Sequence, residues 1–336
     1  MKVLRLLVLT LYVAGLVSVS PIASATTKLL GQQSCFSGPF SSHEEWLSFI
    51  SAKNQDEDPE KLKKFLVLMG KAFPKDKFDS FQKELDCKFF RYTVNGELVR
   101  GFIVHPKGAV ATETIVYNRG GNATFGAMTF TQLFKNVFDI ANQGFTVIGS
   151  QYRGATVKGP ESKDEFGGAD VQDVLALREL FAEFKSIDPK RVGLMGWSRG
   201  STQALLALKQ GFDTPAVALL AGEYDKKKGF EFRPEMERIY QLRVPNYAED
   251  KTKALEHRSA VVWANELPKQ TAFLLIHGIE DIKVRYDSSV ELYDKLRGHG
   301  FDAELMTLKD GHNLRTDWPG VVGRLSEFFK RELNAL

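Results

Sequence analysis

The chain has two cysteines in 336 residues, Cys35 and Cys87. Neither stands at a metal-ligand spacing, and the six histidines form no cluster. Zinc and other metal sites are therefore not expected. No tract of lysine and arginine is present beyond Lys226-Lys227-Lys228, which reads as a solvated turn. The formal net charge is +3, and losing Lys2 and Arg5 with a leader would bring it to +1. A near-neutral chain excludes nucleic acid and anionic membranes as expected partners. No segment repeats at a fixed period, which excludes a propeller within these residues. The apolar stretch Leu6–Val19 is shorter than a membrane-spanning helix needs.

That stretch has another reading. Lys2 and Arg5 give a basic start, Leu6–Val19 an apolar core, and Ala23-Ser24-Ala25 a small-residue cleavage site. The first 25 residues read as a secretory signal. The chain is then expected to be exported, to a periplasm or the medium, with no stable membrane insertion after cleavage. Two cysteines in an exported chain either pair or remain as buried thiols. If paired, Cys35 and Cys87 would tie the N-terminal tail to the first strand.

Residues 26–39 are polar and read as a loose lead-in. Ser42 with Glu45 three residues on signals a helix start, followed by Trp46, Leu47, Phe49 and Ile50. Pro59 opens a second helical run with Leu62, Phe65, Leu66 and Met69, and 73–85 reads as a third. From Lys88 to His105 two alternating runs flank Asn95-Gly96, a hairpin signal. Strands are then expected at 114–117, 145–151, 192–195, 217–221, 272–276 and 303–308. Helices are expected at 131–142, 169–185, 201–210, 286–298 and 320–333. Asp170 and Asp173, at the start of one of these, suit the helix dipole and read as structural. Such alternation predicts an α/β fold, a mostly parallel sheet with helices on both faces and an antiparallel hairpin at its start. The expected division is a signal over 1–25, a helical extension over 26–87 and a catalytic domain over 88–336.

The organising stretch is Arg191–Lys209, RVGLMGWSRGSTQALLALK. It reads as strand, sharp turn and helix, with Gly196-Trp197-Ser198-Arg199-Gly200 at the bend. A serine on such an elbow sits in strained backbone that lifts its Oγ out of the sheet, and the flanking glycines remove colliding side chains. The backbone N–H of Arg199 would face a developing oxyanion. Asp281 follows the 272–276 strand and His312 follows the 303–308 strand. The order Ser, Asp, His just after strands is that of the α/β-hydrolase fold, whose chemistry lies at strand C-termini. Ser198 is the expected nucleophile, His312 its base and later the acid, and Asp281 the group that orients the imidazole. Glu280 is the rival acid, and Asp310 reads as a strand terminator.

The resemblance extends beyond the fold. GWSRG at 196–200, HGIEDIKV at 277–284, DGH at 310–312, YRG at 152–154 and EFGGADVQDV at 165–174 resemble the catalytic domain of the prolyl oligopeptidase family, over roughly 115 to the C-terminus. The family spacing selects Asp281 over Glu280, and it makes His277 a structural loop residue. The resemblance implies a serine peptidase acting on short peptides, with no cofactor. A carboxylesterase on the same machinery is the alternative, since the triad does not distinguish amide from ester. A non-catalytic binding protein on a hydrolase fold is a third reading.

One position departs from the family. Where a Tyr or His usually precedes two glycines, this chain has Arg119 before Gly120-Gly121. Either the backbone N–H of Gly120 completes the oxyanion hole, or the Arg119 guanidinium binds substrate or oxyanion, or Arg119 is an exposed loop residue. As an oxyanion donor it would be worth about a hundredfold in kcat. Trp197 either walls the acyl pocket or packs in the core. Tyr117 is a further candidate substrate contact. Arg153 either contacts substrate or holds loops together by ion pairs.

Overall fold

The computed structural model describes residues 27–155 and 163–335, so the leader expected over 1–25 lies outside the described residues. Nine strands form one sheet in the order β1-β2-β3-β5-β4-β6-β7-β8-β9. They are β1 Lys28–Ser34, β2 Leu85–Val94, β3 Glu97–Pro106, β4 Thr112–Asn118, β5 Thr146–Ser150, β6 Ile187–Trp197, β7 Ala216–Leu220, β8 Ala272–Gly278 and β9 Ala303–Leu308. Strands β5, β4, β6, β7, β8 and β9 run parallel, and β1, β2 and β3 add an antiparallel edge. Asn95 and Gly96, both at positive φ, close the β2–β3 hairpin.

The helices come in chain order. Three precede β2: α1 His43–Lys53, α2 Pro59–Ala72 and α3 Lys75–Glu84. Then follow α4 Phe130–Asn136, α5 Phe138–Ala141, α6 Val171–Leu175 and α7 Arg199–Lys209. The 223–270 insertion folds as α8 Lys226–Phe232, α9 Met236–Arg243, α10 Lys251–His257 and α11 Ala260–Trp263. Last come α12 Asp287–Gly298 and α13 Trp318–Leu333. Ser42 caps α1 through the Glu45 N–H, and Asp58 caps α2 with Pro59 at its first position.

Two apolar clusters cover the two faces of the sheet. On one face Trp46, Phe73, Phe78 and Phe81 from the N-terminal helices interleave with Phe130, Phe134 and Phe138, and α13 continues the layer. Truncating one such buried ring costs about 3–5 kcal/mol. The first 60 described residues thus share their core with the sheet. They also contain a strand where a loose lead-in was expected. Strand β1 is mostly exposed and is held by backbone pairing with β2. It carries no apolar alternation, so the pattern gave no sign of it. The helix expected over 169–185 is shorter, α6 followed by a 3-10 turn over 176–183. Lys226 is no solvated turn: Asp225 caps α8 there, and the buried Lys226 ammonium donates to Thr202 Oγ1 at 2.8 Å. Burial pushes its pKa down to about 8.

Cys35 and Cys87 are joined in a disulfide, Cα atoms 5.3 Å apart, closing a loop with a sequence separation of 52. A cross-link over that span limits the unfolded chain by roughly 2–4 kcal/mol. Cys87→Ser is expected to lower the unfolding free energy by about that amount, measured by urea denaturation. The parent chain under reductant should match the variant.

Candidate active site

The chain runs from β4 outward to β5 and returns to β6 on the other side of β4, so the strand order reverses there. Open α/β sheets bind their ligands in the crevice that such a reversal creates. Ser198 lies there, between β6 and α7, at φ 56° and ψ −123°. Its N–H donates to Leu220 O at 2.7 Å, which fixes the elbow on β7. A Cβ on residue 200 would stand 1.9 Å from Asn118 O, so only glycine lets α7 start this close to β4. Gly120, in the loop after β4, lies against Ser198. A side chain there would come 3.2 Å from Ser198 Cβ and 3.8 Å from its Oγ. The N–H of Arg199 heads α7 and has no partner within the helix. The Arg199 N–H thus follows the serine in the chain, and the Gly120 backbone lies beside it.

Asp281 and His312 come from the loops after β8 and β9. Those loops touch at Gly278, where a Cβ would lie 2.1 Å from Asp310 O. Asp310 Oδ1 accepts from Gly311 N and Oδ2 from Thr316 N, each at 2.6 Å, so it shapes the histidine loop. Trp197 Nε1 donates to His312 O at 3.2 Å. His312 Nδ1 bonds Asp281 Oδ2 at 2.7 Å. The same oxygen meets His277 Nε2 at 3.1 Å, while Oδ1 accepts from Lys283 N at 2.7 Å and Val284 N at 3.0 Å. Burial pushes the Asp281 carboxyl up, but the bonds from His277 and His312 outweigh it and hold it well below the usual range. Glu280 is exposed and its carboxyl has no partner among the described residues. His277 is more than a loop residue. It is fully buried, with Nδ1 2.7 Å from Ser289 Oγ. Its contacts to Asp281 and Val284 O call for a protonated Nε2, leaving Nδ1 to accept from the serine hydroxyl.

The Arg119 side chain is not available to substrate. Its guanidinium is fully buried and donates to Gln151 O at 2.6 and 3.0 Å, Ala123 O at 2.8 Å, Gly120 O at 3.0 Å and Phe125 O at 3.2 Å. It stacks on Tyr152, and burial pushes its pKa down to about 10. Five donors and carbonyls in reach explain why an arginine serves here. Arg153 is likewise removed from the substrate candidates: it pairs with buried Asp173 at 2.7 Å. Burial pushes the Asp173 carboxyl up to about 6 against the pull of Arg153. The Arg199 side chain is buried between Asp164, at 2.6 Å, and Asp170. Asp164 also accepts from Ala123 N at 2.8 Å and so joins the elbow to the loop after β4.

Ser198, His312, Trp197, Tyr117 and Gly120 line one cleft of about 940 Å³. A recess of about 80 Å³ opens from Ser198 toward Phe166, Phe230, Met236, Tyr240 and Val284. Lys71, Pro74 and Lys77 of the N-terminal segment form one wall of the cleft, and Arg233, Met236 and Ile239 of the insertion another. Sequence reasoning missed Lys135, Arg315 and Trp318 in this lining. Arg315 and Trp318 stand three and six residues after His312, a proximity that could have flagged them. Among the described residues, no three His, Cys, Asp or Glu side chains are grouped to hold a metal ion.

A match to the prolyl oligopeptidase family spans residues 131–335, which include Ser198, Asp281 and His312. Dipeptidyl peptidase family member 1 of Caenorhabditis elegans is 27% identical over 172 residues, 50% of this chain and 20% of that protein. The chain thus spans only about a fifth of that relative. Acylaminoacyl peptidase of Pyrococcus horikoshii superposes with a TM-score of 0.63 at 20% identity, over 76% of this chain and 43% of the other. An esterase of Pyrococcus furiosus gives 0.53 at 16% identity, over 70% and 87%. At such identities the likeness shows the fold, which is that of the α/β-hydrolases.

Two outcomes are expected from these contacts. Arg119→Ala leaves buried carbonyls without donors and should cost about 3 kcal/mol or more in urea unfolding. Asp281, lowered in the fold, stabilises it fully above the unfolded carboxylate pKa of about 4. That contribution is lost as the pH falls below this value. Asp281→Asn should therefore show a flatter decline in stability between about pH 5 and pH 2.

Proposed function

The chain belongs to the prolyl oligopeptidase family, and from this we propose that it is a serine hydrolase that cleaves short peptides through an acyl-enzyme. The observation that carries the reading is the His312–Asp281 bond of 2.7 Å beside a serine at positive φ in the same cleft. Ser198 Oγ attacks the acyl carbon while His312 Nε2 takes its proton. Asp281 stabilises the imidazolium that forms and holds Nδ1 protonated. Negative charge on the carbonyl oxygen is met by the N–H groups of Arg199 and Gly120. His312 then protonates the leaving amine, and water repeats the sequence on the acyl-enzyme.

Short substrates fit a cleft walled by the N-terminal helices and the 223–270 insertion. Trp197 and Tyr117 are candidate contacts on its floor. Export is part of the proposal. The Cys35–Cys87 disulfide supports an oxidising compartment, and the 1–25 pattern supports secretion.

The reading is tested by turnover of dipeptidyl anilides and short-chain nitrophenyl esters. Ser198→Ala should lose activity by about 10⁴–10⁶-fold and Asp281→Asn by about 10⁴-fold. Serine-dependent cleavage of esters alone would make the protein an esterase. Failure of folded enzyme to turn over either substrate or to react with an active-site phosphonate would leave a binding protein on this fold.

A further inference from the structure

Beyond His312 the cleft wall carries three cations, Arg315, Lys135 and Lys71, with no directly paired carboxylate among the described residues; Asp139 and Asp310 act on Arg315 only from longer range. Arg315 lies on the histidine loop, its guanidinium carbon 4.7 Å from the Trp318 ring centre and 5.6 Å from that of Trp197. Its Nη1 donates to Lys135 O at 2.7 Å and its Nη2 to Asn136 Oδ1, which holds the head over the two indoles. The Lys135 ammonium sits 4.6 Å from the Phe73 ring centre, and Lys71 lines the same wall. Among the described residues, no carboxylate lies within 4 Å of any of these three cations. The neighbouring cations contrast with them. Lys77 pairs with Asp139 at 2.9 Å and Arg233 with Glu235 at 2.7 Å. Burial holds the Arg315 pKa below its ordinary value, and burial followed by repulsion from Arg315 does the same for Lys135.

Direction follows from the chemistry of the proposed reaction. His312 hands its proton to the leaving group, so the departing part of the substrate lies on the histidine side of Ser198. Trp197, next to Ser198 in the chain and bonded to His312 O, forms the floor between them. The acyl part then faces the recess of Phe166, Phe230, Met236 and Tyr240, whose lining also includes Glu223 and Arg233. An anion on the leaving part would meet Arg315.

We propose that Arg315, supported by Lys135, forms a subsite for the free C-terminal carboxylate of a short peptide, held close behind the scissile bond. This rests on the acyl-transfer reading of Ser198 and His312. With Nη1 and Nη2 each giving one N–H to Lys135 and Asn136, the Arg315 guanidinium keeps three of its five N–H donors for a carboxylate. The two buried indoles support the guanidinium from beneath. The enzyme would then act near the C-terminus of small peptides, releasing a short fragment with its own carboxylate.

The test separates binding from turnover. Acylated tripeptides with a free C-terminal carboxylate and the same peptides as amides are titrated calorimetrically into the Ser198→Ala protein. The acid should bind about tenfold tighter, and the advantage should shrink as salt rises. Arg315→Gln should bring the acid-to-amide ratio close to one, and Arg315→Lys should keep part of it. Equal binding of acid and amide, or a preference that survives in Arg315→Gln, overturns the subsite. Turnover of a neutral anilide by the unmodified chain is read alongside. Its absence, with no ester cleavage and no phosphonate labelling, would overturn the catalytic reading, while the binding ratio still decides the subsite.

Discussion

One backbone contact governs the rest of the molecule: the start of α7 lies against the end of β4, with no room for a side chain at Gly200. That closeness brings the Gly120 backbone to the serine and turns a change in strand order into a crevice. The surrounding charges serve the same junction. Arg119 gathers carbonyls of its own loop and of Gln151, and Arg199 is held by Asp164 and Asp170. Both are buried cations occupied by neighbours. An arginine so placed is a fastener for irregular backbone, because each unpaired carbonyl in that interior would be costly.

The second half of the site has a different physical character. Asp281 and His312 sit on loops held together by backbone contact at Gly278 and by the Asp310 carboxylate. Four donors converge on Asp281, one of them from His277. Charge there is concentrated on one buried carboxylate and balanced by hydrogen bonds. On the cleft wall, by contrast, Arg315 and Lys135 have no directly paired carboxylate among the described residues, and Asp139 and Asp310 act on Arg315 only from longer range.

Much of this was legible before any coordinate. Strong local signals carried it: the Asn95-Gly96 hairpin, the buried runs of β7 and β8, and the glycine-flanked Ser198 followed by Asp281 and His312 in loops after strands. What stayed hidden depends on contacts between distant segments. Strand β1 is held by backbone pairing, and KLLGQQS has no alternation to betray it. Arg119 looks the same in sequence whether it faces substrate or four carbonyl-bearing residues. The wall formed by Lys71, Pro74 and Lys77 depends on how aromatic helices dock on Phe130 and Phe134, which periodicity does not encode.

Chain order also decides how the site can be lost. The groups that build it stand at positions 120, 198, 281 and 312, and the last lies on the loop between β9 and α13. Strand β9 is an edge strand, paired with β8 and opposite the edge where β1 joins. Proteins open locally, one contiguous unit at a time. Opening of that one strand pair would carry His312 away while β4, β6 and β7 stay paired around Ser198, so an edge strand governs whether the serine keeps its base.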